Sequence, residues 1–169
     1  IVQLQTVDLT KLLQMLFEKY QAEVSAKGLQ FDLYLDPKLP KIATQPLYLE
    51  EILQNLLTNA IKYTETGSIT LTARAKARGI EIAVADTGVG ISKNQQAKVF
   101  DKFYRVEDYR TRQTGGTGLG LYVANKLAHK LHAELKLVSR VGFGSTFSLI
   151  LHKSTKNSRI PGAKTSPKA

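Results

Sequence analysis

Two asparagines and a lysine stand out on one short stretch. In Glu51 to Thr64, EILQNLLTNAIKYT, the polar residues Glu51, Asn55, Thr58, Asn59 and Lys62 recur at i, i+4, i+7, i+8 and i+11. That is the spacing of one face of an α-helix. Asn is a poor helix former, losing up to about 0.7 kcal/mol to Ala at an interior position. Two of them one turn apart therefore point to a use other than helix stability. An amide oxygen can ligate a hard cation, and an ammonium can neutralise an anion. The face reads either as working chemistry or as a solvated surface, and the rest of the chain has to decide.

A second candidate is Asp86, which ends the apolar run GIEIAVA and opens the loop Thr-Gly-Val-Gly-Ile. A carboxylate there is either a turn cap or a buried acceptor for a specific N–H donor. The exocyclic amine of adenine suits the second role, and such a charged hydrogen bond is worth about 1.5–3 kcal/mol. Ile82, Val84 and Ile91 supply apolar walls of the kind a base requires. Glycines cluster at Gly88/Gly90, at Gly115/Gly116/Gly118/Gly120 and at Gly142/Gly144. None of these forms a P-loop or a dinucleotide-binding fingerprint. Gly142/Gly144 reads as a turn, whereas Gly115 to Gly120 leads into a helix, where bare backbone amides bind anions. With Lys62 for phosphate charge and Asn59 as an oxygen ligand, these pieces compose an ATP–Mg²⁺ site. Mg²⁺ accepts few protein oxygens, so one neutral amide suffices. His129 and His132 near a helix end and His152 near the tail read as surface residues, without the further ligands of a metal site.

The elements that must hold these residues follow from periodicity. Asp8 caps a helix through Leu9, Leu12, Leu13, Leu16, Phe17, Tyr20 and Val24, which Gly28 stops. Leu29 to Leu35 alternates as a half-exposed strand, and Lys41 to Thr44 is expected to form a short second one. Pro46 fits the first turn of the asparagine-bearing helix, whose apolar stripe is Leu49, Ile52, Leu53, Leu56, Ala60 and Ile61. Ser68 to Ala75 and Gly79 to Ala85 form a hairpin. Ser92 with Gln95 reads as a capping box opening a short helix that buries Val99, Phe100 and Phe103. Tyr104 to Thr117 has no period and is a long loop. Gly118 to Leu131 is helical through Leu119, Tyr122, Val123, Leu127 and Leu131. Glu134 to Ser139 and Thr146 to Leu151 close the chain as a hairpin. About four helices and five or six strands predict an α+β two-layer sandwich, a mixed sheet of about five strands with helices on one face.

The chain has 169 residues, enough for one domain that buries about 70% of its unfolded surface. No run approaches the roughly 18–20 apolar residues of a membrane span, and there is no signal-peptide pattern. With no cysteine there is no disulfide or thiolate metal site, which fits the cytoplasm. Opening at Ile1 rather than Met, the chain is expected to be a piece of a longer protein. The net charge of +10 raises nucleic-acid binding as a class. Five of the cations, Lys153, Lys156, Arg159, Lys164 and Lys168, lie in an acid-free tail, leaving +5 for residues 1–152 with acids interspersed. The expectation is one domain over residues 1–152, a basic tail of disordered composition over 153–169, and no nucleic-acid partner.

Taken in order, NLLTNAIKYT, DTGVGI, VFDKFYR, TGGTGLGL and GFGSTF closely resemble the N, G1, F and G2 boxes and final Gly-rich turn of the catalytic ATP-binding domain of sensor histidine kinases. The resemblance covers about Val7 to Leu151. It implies the Bergerat fold, shared with DNA gyrase, the heat-shock chaperone and mismatch-repair ATPases, with a mobile ATP lid. It implies that Asn59 coordinates Mg²⁺, supported by Asn55, and that Lys62 and Tyr63 contact phosphates and nucleotide. Asp86 would accept the adenine amine, with Gly88, Gly90 and Ile91 close by and Thr146 behind. Phe100 and Phe103 would brace the lid, Arg105 would reach the γ-phosphate, and Gly116, Thr117, Gly118, Leu119 and Gly120 would bind phosphates. The family usually has Asp-Pro where this chain has Gln45-Pro46, and His-Gly-Gly where it has His132-Ala133.

The family's phosphoacceptor histidine lies upstream, in a dimerising helical hairpin, whereas all three histidines here follow the N box. The implied partners are therefore that dimerisation domain, which would make the parent a homodimer, and a response regulator. Hydrolytic members of the superfamily carry Glu where Asn55 stands, and an amide cannot take a proton at neutral pH. That favours phosphoryl transfer, with Asn55, Lys62 and Arg105 as the catalytic set. A GHKL ATPase or Ser/Thr kinase, a non-catalytic nucleotide-binding module and a nucleic-acid-binding module stay as alternatives.

Overall fold

A computed structural model describes residues 2–105 and 118–153. The segment expected to form a lid falls mostly, and the basic tail almost wholly, outside them. In chain order the elements are β1 (Gln5–Val7), α1 (Leu9–Ala26), β2 (Gln30–Leu35), β3 (Ile42–Thr44), α2 (Pro46–Tyr63), β4 (Ser68–Lys76), β5 (Gly79–Asp86), α3 (Lys93–Gln96), α4 (Gly120–Lys130), β6 (Glu134–Arg140) and β7 (Gly144–His152). Five strands form one mixed sheet in the order β2-β4-β5-β7-β6, parallel between β2 and β4 and antiparallel elsewhere. α2 packs on α4 and β5, α1 on β2 and α2, and α4 on β6. The predicted α+β sandwich is the observed architecture.

The core lies between helices and sheet. Alternation places Ile69, Leu71 and Ala73 of β4, Ile80, Ile82 and Val84 of β5, and Phe147, Leu149 and Leu151 of β7 on the buried side. Leu49, Ile52, Leu53, Leu56, Ala60 and Ile61 of α2 meet them, joined by Leu57. Along α4 the fully buried residues are Ala124 and Ala128 rather than the larger Leu127 and Leu131. Small residues one turn apart let α4 lie close against α2.

Helix ends follow the residues available. The Asp8 carboxylate accepts the Lys11 amide at 3.2 Å. At α2, where the family usually has Asp-Pro, the Gln45 side chain accepts the Leu47 amide at 2.7 Å and Pro46 takes the first turn. At the other end of α2, Lys27 Nζ donates to the Ile61 carbonyl and, at 3.4 Å, to that of Lys62. After α4, His132 adopts φ 54, the left-handed conformation that glycine takes most easily and that ends the helix here.

The short strand expected over 41–44 forms as β3, which pairs antiparallel with β1, a strand that the sequence does not announce, in a separate two-stranded ribbon. Two local expectations are corrected. Ser92 precedes α3 but its side chain makes no cap bond, so the capping box does not form. The helix it was to open stops after four residues. Successive i→i+3 bonds from Lys98, Asp101 and Tyr104 continue the chain as turns. Val99 is buried there, but Phe103 is 63% exposed with φ 63.

Candidate functional site

The C-terminal half of α2 forms one side of a cavity of about 310 Å³, with Asn55, Thr58, Asn59, Lys62 and Tyr63 along it. Across from them stand Asp86 at the end of β5, Gly90 and Ile91 in the loop that follows, Arg105, and Gly118 and Gly120 at the start of α4. The apolar stripe seats α2 on the sheet, so its polar residues face the gap left between α2, α4 and the ends of β5 and β7. Ten of the predicted site residues are thereby brought together. Gly88, Phe100, Leu119 and Thr146 do not line the cavity, and Gly116 and Thr117 lie outside the described residues.

Charge is divided along the cavity. Its acid, Asp86, is 9% exposed. Its Oδ1 accepts the Gly88 amide at 2.9 Å and the Ser145 amide at 3.3 Å. Burial pushes this carboxyl above the ordinary aspartate range, and the two backbone donors offset part of the rise. Among the described residues the cavity's cations are Lys62 and Arg105. Burial first, and the Arg105 guanidinium second, hold the Lys62 ammonium below the ordinary lysine range. Two like charges kept together in a partly dry site favour an anion arriving between them.

Backbone packing fixes the Asp86 loop. A Cβ on Gly88 would stand 2.2 Å from the Tyr63 carbonyl oxygen, so no side chain fits where the loop crosses the end of α2. The neighbouring Val89 amide donates to that same carbonyl at 3.3 Å. From the other side, the Gly142 amide donates to the Val89 carbonyl at 2.8 Å. The Gln96 amide group donates to the carbonyls of Ile91, at 2.8 Å, and Ser139, at 3.1 Å. Phe100 supports this region from beneath, its ring edge-on to Phe147 with centroids 6.1 Å apart.

Two buried polar atoms have no hydrogen-bond partner among the described residues, Asn55 Nδ2 and Thr64 Oγ1. An unmade buried hydrogen bond costs about 1–3 kcal/mol. An amide held in that condition beside a cavity is suited to a ligand that supplies the missing acceptor.

Comparison with known proteins matches residues 44–155 to the family described as histidine kinase-, DNA gyrase B- and HSP90-like ATPase, HATPase_c. The chain belongs to this family. Among curated members of it, the histidine protein kinase SaeS of Staphylococcus aureus strain Newman is 33% identical over 150 residues, covering 87% of this chain and 43% of SaeS. The chain thus spans less than half the length of the curated relatives it matches. Full-length ShkA, solved in complex with AMPPNP, superposes with a TM-score of 0.78 at 29% identity, over 90% of this chain and 32% of ShkA. The nucleotide-free catalytic domain of histidine kinase ThkA shares the fold, with a TM-score of 0.76 at 19% identity over 89% of this chain and 97% of that domain.

Within this HATPase_c domain, sequence reasoning overlooked Ser145, Tyr104, Leu121 and Val89, all of which line the cavity. The resemblance implies Thr146 behind the base. The register of β7 against β5 instead sets Thr146 opposite Ala85 and Ser145 opposite Asp86. One residue of register in a strand exchanges the two faces. The signal available was the alternation of β7 itself, since Ser145, Phe147, Leu149 and Leu151 share the buried face.

Proposed function

We propose that this HATPase_c domain binds ATP with Mg²⁺ and donates the γ-phosphoryl group to a histidine on a dimerisation domain elsewhere in its parent protein. The parent would then act as a homodimeric sensor kinase and pass the phosphoryl group to a response regulator. The observation that carries this reading is Asn55, an amide on the cavity wall where hydrolytic relatives need a carboxylate. An amide cannot deprotonate water, so the site binds and orients without a base for hydrolysis.

The residues present fit the nucleotide and the metal. Asp86, buried and acceptor-only when ionised, suits the adenine amine, and Ile91, Val89 and Val99 give that end apolar walls. Lys62 and Arg105 supply positive charge for the phosphates, and the start of α4 at Gly118 and Gly120 offers backbone amides. Asn59 is assigned as metal ligand through its amide oxygen, with Asn55 supporting it from one turn earlier. Among the described residues no group of three His, Asp or Glu side chains assembles. A hard cation here would thus take most of its oxygens from phosphate and water, as Mg²⁺ does. Mg²⁺ held at Asn59 would supply charge neutralisation for the phosphates, and Lys62 and Arg105 would stabilise the transferring group.

The test is to incubate the parent protein with γ-labelled ATP and Mg²⁺. Acid-labile, base-stable phosphate on the protein is the expected result. Steady ATP turnover with no phosphoprotein, or acid-stable phosphate, would overturn it. No helix of the described residues is long and apolar enough to cross a membrane.

A further inference from the structure

Ser139, at the end of β6, does not line the cavity, yet it holds two segments that do, the loop at Ile91 and the start of β7. Its hydroxyl accepts the Ile91 amide at 2.8 Å, donates to the Gly144 carbonyl at 3.0 Å, and lies 2.7 Å from Ser145 Oγ. A hydroxyl has one proton and two lone pairs. With its proton on the Gly144 carbonyl, Ser139 can only accept from Ser145, and with the Ile91 amide its inventory is full. In that arrangement the Ser145 proton is committed to Ser139. What Ser145 retains for a ligand is lone pairs alone, beside the Asp86 carboxylate, which it also touches through its own amide.

We propose that Ser139 is a specificity-determining residue, which fixes the Ser145 hydroxyl as an acceptor so that the base end of the cavity accepts 6-aminopurines and rejects 6-oxopurines. This rests on the reading of Asp86 as the base-binding residue. Adenine presents an N–H donor at its 6-position, whereas hypoxanthine and guanine present a carbonyl oxygen. Against Asp86 alone, a serine free to rotate could turn its proton towards that oxygen and soften the rejection. Against Asp86 and a serine whose proton is already bound, the 6-oxo oxygen itself meets acceptors only, whatever the neighbouring N1–H finds. Rejection by unpaired polar groups is the stronger form of selectivity. Ser139 acts through Ser145 and is a positioning residue, with Gln96 steadying the same strand end through the Ser139 carbonyl.

The experiment compares ADP with IDP, each with Mg²⁺, by titration calorimetry on this chain and on Ser139→Ala, Ser139→Thr and Ser145→Ala. The native chain should prefer ADP. Ser139→Ala frees the Ser145 proton, and the ADP/IDP preference should fall by about 5- to 10-fold, the scale of one hydrogen bond. Ser139→Thr, which keeps the hydroxyl, should restore the preference. Should Ser139→Ala fail to fold, Ser145→Ala removes the fixed acceptor and should also narrow the preference, chiefly by weakening ADP. An unchanged ADP/IDP ratio in Ser139→Ala and Ser145→Ala overturns the role of Ser139 while leaving ATP binding intact. A loss of equal size for both nucleotides reduces Ser139 to a structural part and likewise overturns it. A native chain that binds neither nucleotide, or whose ADP affinity is indifferent to Asp86→Asn, overturns the underlying reading and this inference with it.

Discussion

Asn55 and Gly120 face each other where α2 meets the start of α4, and a Cβ on Gly120 would stand 3.2 Å from Asn55 Oδ1. The amide of one helix and the bare backbone of the other therefore occupy one shared space. Gly120→Ala should press on Asn55 without breaking the backbone, lowering ADP affinity by roughly 3- to 10-fold with little change in melting temperature. Gly118 has φ 73, and its Cβ would lie 2.7 Å from the Phe103 carbonyl carbon. Gly118→Ala should therefore cost about 1–2 kcal/mol in strain, or about 2–8 °C in Tm, together with more than tenfold in affinity. Calorimetry and thermal melts on both variants check the contrast, and equal effects would contradict it.

Asp86→Asn should weaken ADP binding by about 10- to 100-fold, the worth of a charged hydrogen bond. The fold should survive. At neutral pH the melting temperature should stay level or rise, because burial opposes the charged carboxylate. Unchanged affinity would remove Asp86 from the base site.

The pH dependence has a definite sign. The Asp86 pKa is raised in the folded chain, so the folded state holds this proton more tightly than the unfolded state. Its contribution to stability is fully present below the unfolded aspartate pKa and is lost as pH rises through the folded one. The stability gained by Asp86→Asn should accordingly grow over that window and then level off. ADP affinity should run the opposite way, falling on acidification through the raised pKa as the acceptor is neutralised. Denaturation and ADP titrations at stepped pH, native against Asp86→Asn, give both curves.

Much of this was legible in the sequence and some could not be. The stripe from Leu49 to Ile61 and the glycines around Asp86 gave helix, sheet and site, because burial and turn geometry leave periodic marks. β1 is three residues long, too short for a period to register, and its pairing with β3 leaves no mark in either segment. Phe103 is apolar by type but sits in a turn with positive φ, a backbone state its identity does not signal. Ser139 was invisible as chemistry, since its role depends on three partners that only the fold brings to it.

Asn59→Ala should weaken ATP binding about tenfold more with Mg²⁺ than with chelator present. Titrations in both buffers decide it, and equal losses would take Asn59 off the metal.

Lys27→Met should remove the side-chain cap on the Ile61 and Lys62 carbonyls at the end of α2. The expected cost is about 0.5–1 kcal/mol, or about 1–4 °C in Tm, with nucleotide affinity reduced less than twofold. A thermal melt and an ADP titration check both halves of this expectation.

The strand order carries a consequence for the timing of assembly. β7, the last strand described, lies between β5 and β6 rather than at an edge, and Ser145 reaches Asp86 across 59 residues of chain. Contacts so distant in sequence close late, after the loop entropy between them has been overcome. A nascent chain ending before Gly144 has α2 and the Asp86 loop but leaves β5 and β6 without the strand that joins them. Nucleotide capture would therefore be acquired only once β7 is in place, which would make a bound nucleotide a reporter of this sheet's completion.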